Sequence, residues 1–519
     1  MKKIFQLTKT GLIIAVASLT FAACSEDFMD EINRDPSVST NCDGKFIVPD
    51  LELRTAQNIV GGDFNTYFGS YVEYWAGTHN QLFKAEKRDA EVRVASTFNN
   101  SWDAIYENIR NGKIVVAKAA DDAEGKDAGD SFIRGVGEIM LAYNMAVATD
   151  VYGDTPYTEV GDIDKYPYPK PDTQQSIYEE VFKLLNMGIA DVTAGSNTLG
   201  AYDFIYGGDK AKWAKFGNGL LARYTLRLLN RSSSKDADLT KILGYIDNSF
   251  TSASEQASMP YDNGNQNPVF DVQWSRDGIS SCTSMFGKLK ERNDPRAERV
   301  YWGSSGSWAH YSAAEVEAEL APTGDPEEQQ YVYPYDVFTF AETAPVHFLS
   351  YHELLFIKAE VLCRQGKTAE AKDVLKDAIK AAFANFEISV DAGISAPSVC
   401  AYGGIEPLES DPLSDEDAEA YFTASVEPLF DADPFKETML QKYLGMWGAN
   451  GETVETYADV RRLKAEGKDI YGFLNKGKFP LRCPYGQSDV VANPNVAAVY
   501  TDAGNYVFSE NVWWAGGTR

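Results

Sequence analysis

Residues 351–383, YHELLFIKAEVLCRQGKTAEAKDVLKDAIKAAF, constrain the fold more than any other stretch. Leu354, Leu355, Ile357, Val361 and Leu362 recur at helical spacing, and Ala371, Val374, Leu375, Ala378, Ile379 and Ala382 form a second such stripe. Gly366 stands between them, where a residue without Cβ is free to take positive φ. The pattern predicts two amphipathic helices folded back on each other. Ala359 and Ala371 are small enough to let them approach closely. A tetratricopeptide-type unit has this pattern, and so does an ordinary antiparallel helix pair. Either way the pair cannot bury both apolar faces alone, so the rest of the chain must pack on it.

Further helical patterns cover much of the chain: 51–76, 99–120, 130–160, 174–193, 210–231, 238–250, 418–426, 434–447 and 452–463. Asn99 to Ser101 offer an N-cap for the second, and Asp172 or Thr173 for the fourth. Gly153 and Pro156 must end the third before its apolar pattern runs out. No alternation of strands and helices predicts a parallel sheet. From about 254 to 345 turn residues dominate, as in PYDNGNQNP, SRDGISS and WGSSGSW. Residues 391–417 read as a second loop region. The expectation is a mostly α fold of tetratricopeptide-like hairpins carrying an irregular, loop-rich part.

The N-terminus carries an address. Lys2, Lys3 and Lys9 precede an apolar run from Gly11 to Phe21, the length of a signal-peptide core and too short to span a bilayer permanently. It ends in LTFAAC, small residues before a cysteine, which is the form of a bacterial lipobox. The expected layout is a signal peptide over 1–23, a tether over 24–50 beginning at a lipidated Cys24, and a helical body over 51–519. Acyl chains on Cys24 would anchor the chain to a membrane without a transmembrane helix. Cys42, Cys282, Cys363, Cys400 and Cys483 remain, an odd number at wide spacings, with no metal-binding pattern and no disulfide framework implied.

Charge excludes one class of partner. With 76 acidic against 48 basic residues the net charge is −28, which argues against nucleic acid. No P-loop, nucleophile elbow or HExxH motif occurs, so no catalytic residue, metal or cofactor is assigned. Gly135 and Gly137 lie inside an apolar helix, the wrong context for a dinucleotide fingerprint. With 76 acids, carboxylate pairs must occur somewhere, but spacing alone cannot place two across a cleft as a glycosidase needs.

Several segments, in order, are similar to one family. They are the lipobox with the acidic Glu26 and Asp27 behind it, WDAIYENIRNGKIVVAKA (102–119), DVYGDTPYTEV (150–160), KWAKFGNGLLARYTLRLLNRS (212–232), NDPR (293–296), the hairpin, LQKYLGMWGANGETVETYADVRRLKAEG (440–467) and FPLRCPYGQSDV (479–490). The chain resembles the SusD/RagB-like outer-membrane lipoproteins, and its KW-x-KF and ETYADVRR forms resemble the SusD-like subgroup described as starch-binding associating with the outer membrane. The resemblance implies a cell-surface lipoprotein that binds a nutrient, above all a glycan, without catalysis or cofactor. It implies a TonB-dependent, SusC-like barrel as partner. The readings set against it are a surface glycoside hydrolase and a lid for the barrel with no ligand site of its own.

A sugar offers an apolar face to a flat ring and a rim of hydroxyls to polar side chains. Two clusters have that composition. The first holds Tyr71, Tyr74, Trp75, His79 and Asn80, in FGSYVEYWAGTHNQ; Tyr71 and Trp75 are four apart and would share a helix face. The second holds Trp274, Arg276, Trp302 and Trp308, with Asp277 and Tyr311 nearby, all among Gly, Ser, Asn and Asp. Packing in the core is the competing explanation for the first cluster, and barrel contact or loop structure for the second.

Overall fold

The computed structural model describes residues 42–519, and residues 44–519 form one compact unit. The expected signal peptide, Cys24 and most of the expected tether lie outside the described residues. Residues 44–50, expected in the tether, belong to this compact unit, with Gly44 and Val48 buried in helical turns.

The hairpin forms as its periodicity requires. Helices Tyr351–Arg364 and Thr368–Ile394 pack face to face across a turn at Gly366, whose φ is +73°. Ser350 caps the first by accepting from the Glu353 amide at 3.1 Å. Phe356, Ala359 and Leu362 meet Ala371, Leu375 and Ala378 in an apolar cluster. As expected, the pair does not cover itself. Ala418, Tyr421, Phe422 and Phe430, from the segment 415–432, close its open side. Each large side chain so buried contributes about 1.5–3 kcal/mol.

The N-terminal half repeats the device. Helices Asn99–Lys118, Ser131–Tyr152, Gln174–Ala194, Lys210–Arg227 and Lys235–Asp247 pack each on the next. Asp130, Thr173 and Asp209 cap three of them through side-chain oxygens. Asn99–Ser101 do not supply a cap; Phe98 occupies that position without a side-chain bond. Ser131–Tyr152 crosses Gln174–Ala194 at two glycines: a Cβ on Gly135 would lie 2.8 Å from the Gly188 carbonyl oxygen and 2.7 Å from the Val192 nitrogen. Gly135 is thus there for helix contact.

Charges tie the layers internally. Arg223 donates to Glu353 at 2.8 Å and to the Phe348 carbonyl at 2.8 Å. Arg462 reaches Glu360 at 2.6 and 2.8 Å and Asp459 at 2.8 Å, and Asp459 also meets Lys442 at 2.6 Å. These groups are almost fully buried, so each charge depends on its partner. The neighbouring cations hold the Asp459 carboxyl well below its usual range against the opposing effect of burial.

Two expectations need correction. The stretch 51–76 is not one helix: Val48–Arg54 runs into a wide turn at Thr55–Val60, then Asp63–Tyr71 follows. The region 391–417 is partly helical, because Thr368–Ile394 continues into it and Pro397–Gly403 adds a turn. The inserted part is loop-rich, as expected, but it is pinned by short antiparallel pairs. Ala257–Met259 pairs with Val346–Leu349, Ala76–Gly77 with Ile279–Ser280, and Tyr301–Trp302 with both His310–Tyr311 and Tyr335–Asp336. Among the described residues no helix is long and apolar enough to cross a membrane, and the five cysteines are free.

Candidate functional site

Helix Pro268–Arg276 carries the site. Asn267 caps it, its side chain accepting from the Val269 amide at 2.8 Å, and Pro268 fits the first turn. It ends at Asp277, which is left-handed at φ +45°. Gln273 fastens this end. It accepts from the Ile279 amide at 2.9 Å and donates to the Ile279 carbonyl at 3.1 Å, and to Asp277 at 3.1 Å.

On one side of this helix end lies an open cleft of about 220 Å³, walled by Trp274, Trp308, Tyr331, Tyr335, Phe340 and Tyr402, with Gln273, Asp277 and Ser305. One face of Trp274 is stacked on Phe270 at 5.6 Å, which fixes the ring while leaving it 41% exposed. Tyr402 meets it edge-on at 5.6 Å. Trp308 stacks near Tyr335 at 5.9 Å and meets Phe340 edge-on at 5.3 Å. Its indole N–H finds no hydrogen-bond partner among the described residues.

The backbone is strained here. Asp277, Trp308 and Tyr331 all have positive φ, at +45°, +44° and +64°. For a bulky side chain that conformation is rare and unfavourable, and such strain collects at functional sites. Asp277 is bound in place by the Tyr331 amide, which donates at 2.7 Å. Burial raises the Asp277 carboxyl above its usual range, while the Tyr335 hydroxyl and the Tyr331 amide pull it back.

On the other side of the same helix end is a second cleft, of about 330 Å³, lined by Asp63, Thr66, Tyr67, His79, Asn80, Gln81, Arg276 and Gly278 among others. Asn80, at φ +52°, donates to His79 Nε2 at 3.2 Å. The two clefts differ in kind: the first is walled by rings, the second largely by polar side chains.

The SusD-like model described as "Starch-binding associating with outer membrane" matches residues 39–486. The chain belongs to this SusD-like family. A SusD/RagB family protein from Bacteroides thetaiotaomicron is 41% identical, superposes with a TM-score of 0.87, and is covered over 100% of its length by 92% of this chain. A chitin-binding SusD homologue from Flavobacterium johnsoniae shares the fold at 16% identity and a TM-score of 0.64, covering 92% of this chain and 99% of its own. A Bacteroides vulgatus outer-membrane protein described as probably involved in nutrient binding shares it at 18% identity and a TM-score of 0.68, covering 91% of this chain and 100% of its own. No match was found among curated proteins. The resemblance to SusD/RagB proteins and the helical, hairpin-built architecture are thereby established, as is membership of a starch- or glycan-binding, outer-membrane-associated family.

Within this SusD-like chain the residues singled out in the sequence separate into three groups. Trp274 and Trp308 line the aromatic cleft, and His79, Asn80 and Arg276 the polar one. Tyr71, Trp75 and Trp302 are core residues, at most 1% exposed. The shared face expected of Tyr71 and Trp75 does not exist. The helix ends at Tyr71 and the chain reverses at Glu73, at φ +61°. Trp75 therefore folds back over Gly69, where a Cβ would lie 2.1 Å from its ring, and donates to the Thr66 carbonyl at 3.0 Å. Trp302 is held in the middle strand of a three-stranded sheet. Sequence reasoning missed Tyr402 as a site residue. An isolated tyrosine beside two glycines was the available signal, lost because its segment read as plain loop. Tyr331 and Tyr335 line the same cleft as Trp274, a placement that sequence pattern does not carry.

Proposed function

We propose that this SusD-like protein captures an oligosaccharide in the aromatic cleft at the cell surface, tethered there through lipidated Cys24, and delivers it to a TonB-dependent, SusC-like barrel. The observation that carries the capture step is the convergence of Trp274, Trp308, Tyr331 and Tyr402 on one open cleft from separate stretches of chain. Flat rings with little rotamer freedom suit the apolar faces of sugars and lose little entropy on binding. Asp277, Gln273 and Ser305 stand beside the rings as hydrogen-bonding groups for hydroxyls. The family's description as starch-binding and outer-membrane associated supports the same reading, and the chitin-binding relative extends the candidates to amino sugars.

Binding without turnover is favoured over hydrolysis by the lining. Among the described residues Asp277 is the cleft's single carboxylate, whereas glycosidases act with two, about 5–10 Å apart. The test is a titration of the full chain with starch, chitin and other oligosaccharides, read by tryptophan fluorescence, with product analysis alongside. Saturable binding to one glycan class, lost in Trp274→Ala and without product, supports the proposal. Turnover of the glycan, or no response to any glycan, overturns it. Co-purification of a barrel with the lipidated chain tests the delivery step.

A further inference from the structure

We infer that the polar cleft is a subsite for an anionic substituent of the glycan, a uronate carboxylate or a sulfate ester, with Arg276 as its cation. This rests on the glycan-binding reading above and narrows its substrate class.

The chain has 76 acidic and 48 basic residues, so a guanidinium has carboxylates in excess to choose from. Among the described residues, every arginine except Arg110 and Arg276 bonds a carboxylate or a backbone carbonyl oxygen. The contact of Arg276 is a long one, 3.3 Å to the Gln81 side chain. Its remaining donors face a concavity. The acid in that cleft, Asp63, takes the Asn100 amide at 3.3 Å and forms no ion pair with Arg276. Burial raises the Asp63 carboxyl, with Asn100 and Arg276 opposing that shift. Tyr67 and Asn80 add a hydroxyl and an amide to the lining.

Geometry joins this cleft to the aromatic one. Trp274 and Arg276 are two positions apart in the last helical turn, so at about 100° per residue they point to opposite sides. One helix end thus presents a ring to one cleft and a guanidinium to the other. Gln330 donates to the Arg276 carbonyl at 2.9 Å and braces the ridge between them. A ligand using both must cross a ridge about 10 Å wide, the diameter of a helix, which needs an oligomer. A neutral glucan gives the guanidinium no counter-charge. A carboxylate or sulfate does, through two parallel N–H···O bonds.

The test compares matched ligands on the full chain at low salt: an oligogalacturonate, its methyl ester, and a sulfated oligosaccharide of similar length. The acidic forms should bind at least about tenfold tighter than the ester, and added salt should erase the difference. Arg276→Gln should remove roughly 10-fold to 100-fold of acidic affinity and weaken the ester much less. Arg276→Lys should retain part of it. Arg276 is exposed, so these variants should keep the parent's melting temperature. Whichever acid responds identifies the substituent. Equal affinity for acid and ester overturns the subsite while leaving glycan capture at Trp274 standing. An Arg276→Gln protein that still prefers acid also overturns it. If the wild-type chain binds no oligosaccharide at all, the capture reading fails and this one with it.

Discussion

Trp274 and Tyr402 meet edge to face with ring centroids 5.6 Å apart and planes at 82°, although one ends a helix of the inserted loops and the other follows the long hairpin. Tyr402 is 69% exposed and contributes little to the core. Tyr402→Ala should therefore leave stability within about 0.5 kcal/mol and weaken glycan binding by about 1 kcal/mol, some fivefold. Fluorescence titration and thermal unfolding of the same sample read both.

The glycine crossing sets a second expectation. Gly135→Ala would place a Cβ 2.7 Å from the Val192 nitrogen, where only backbone can yield. It should destabilise the fold by about 1–3 kcal/mol. Gly244→Ala, in the helix Lys235–Asp247, meets nothing within 4 Å and should stabilise by about 0.5–1 kcal/mol. Urea denaturation should move the two midpoints in opposite directions.

Arg462 and Glu360 offer a third test. Removing either partner alone takes two bonds from a buried charge, leaving Glu360 with Arg364 at 2.8 Å or Arg462 with Asp459 at 2.8 Å. Arg462→Met or Glu360→Gln should each cost about 3–5 kcal/mol. The double variant should cost less than the sum. Strict additivity in that cycle would show that the pair is not coupled.

Acidity near the cleft gives a fourth. Asp336 is fully buried beside Tyr335, and burial pushes its carboxyl up to about 7, against the Ser281 hydroxyl that donates to it at 2.7 Å. A carboxyl raised in the folded state favours folding at low pH, fully below its unfolded value near 4, and that contribution is lost as pH rises through about 7. The three-unit gap corresponds to about 4 kcal/mol at most. Asp336→Asn should flatten the stability profile between pH 4 and 7 relative to wild type, measured by denaturant midpoints at each pH.

The helices were legible because burying one face writes a 3.6-residue period into the sequence, as in Leu354 to Leu362. The family was legible because short motifs recur in a fixed order. Site composition was partly legible: Trp274 and Trp308 stand among turn residues, and both line the cleft. What a pattern cannot show is where the chain turns back. Tyr71 and Trp75 have helical spacing, but the left-handed Glu73 between them puts Trp75 over Gly69 and inside. Tyr402 depends on the hairpin's length bringing a distant segment to Trp274, and no local signal encodes that. The site is a product of tertiary distance.

The buried ion pairs bear on the medium this fold can tolerate. Counterions shorten the reach of charges in water to about 10 Å at 0.1 M salt and to about 3 Å at 1 M, but they do not enter a packed interior. Arg462–Glu360 and Arg223–Glu353 are at most 3% exposed, whereas Lys290–Glu317 is 60% and 49% exposed. Brine will dissolve the outer pair and leave the inner ones intact. The helical frame is thereby insulated from salinity, and changes in the surrounding fluid reach the exposed loops first.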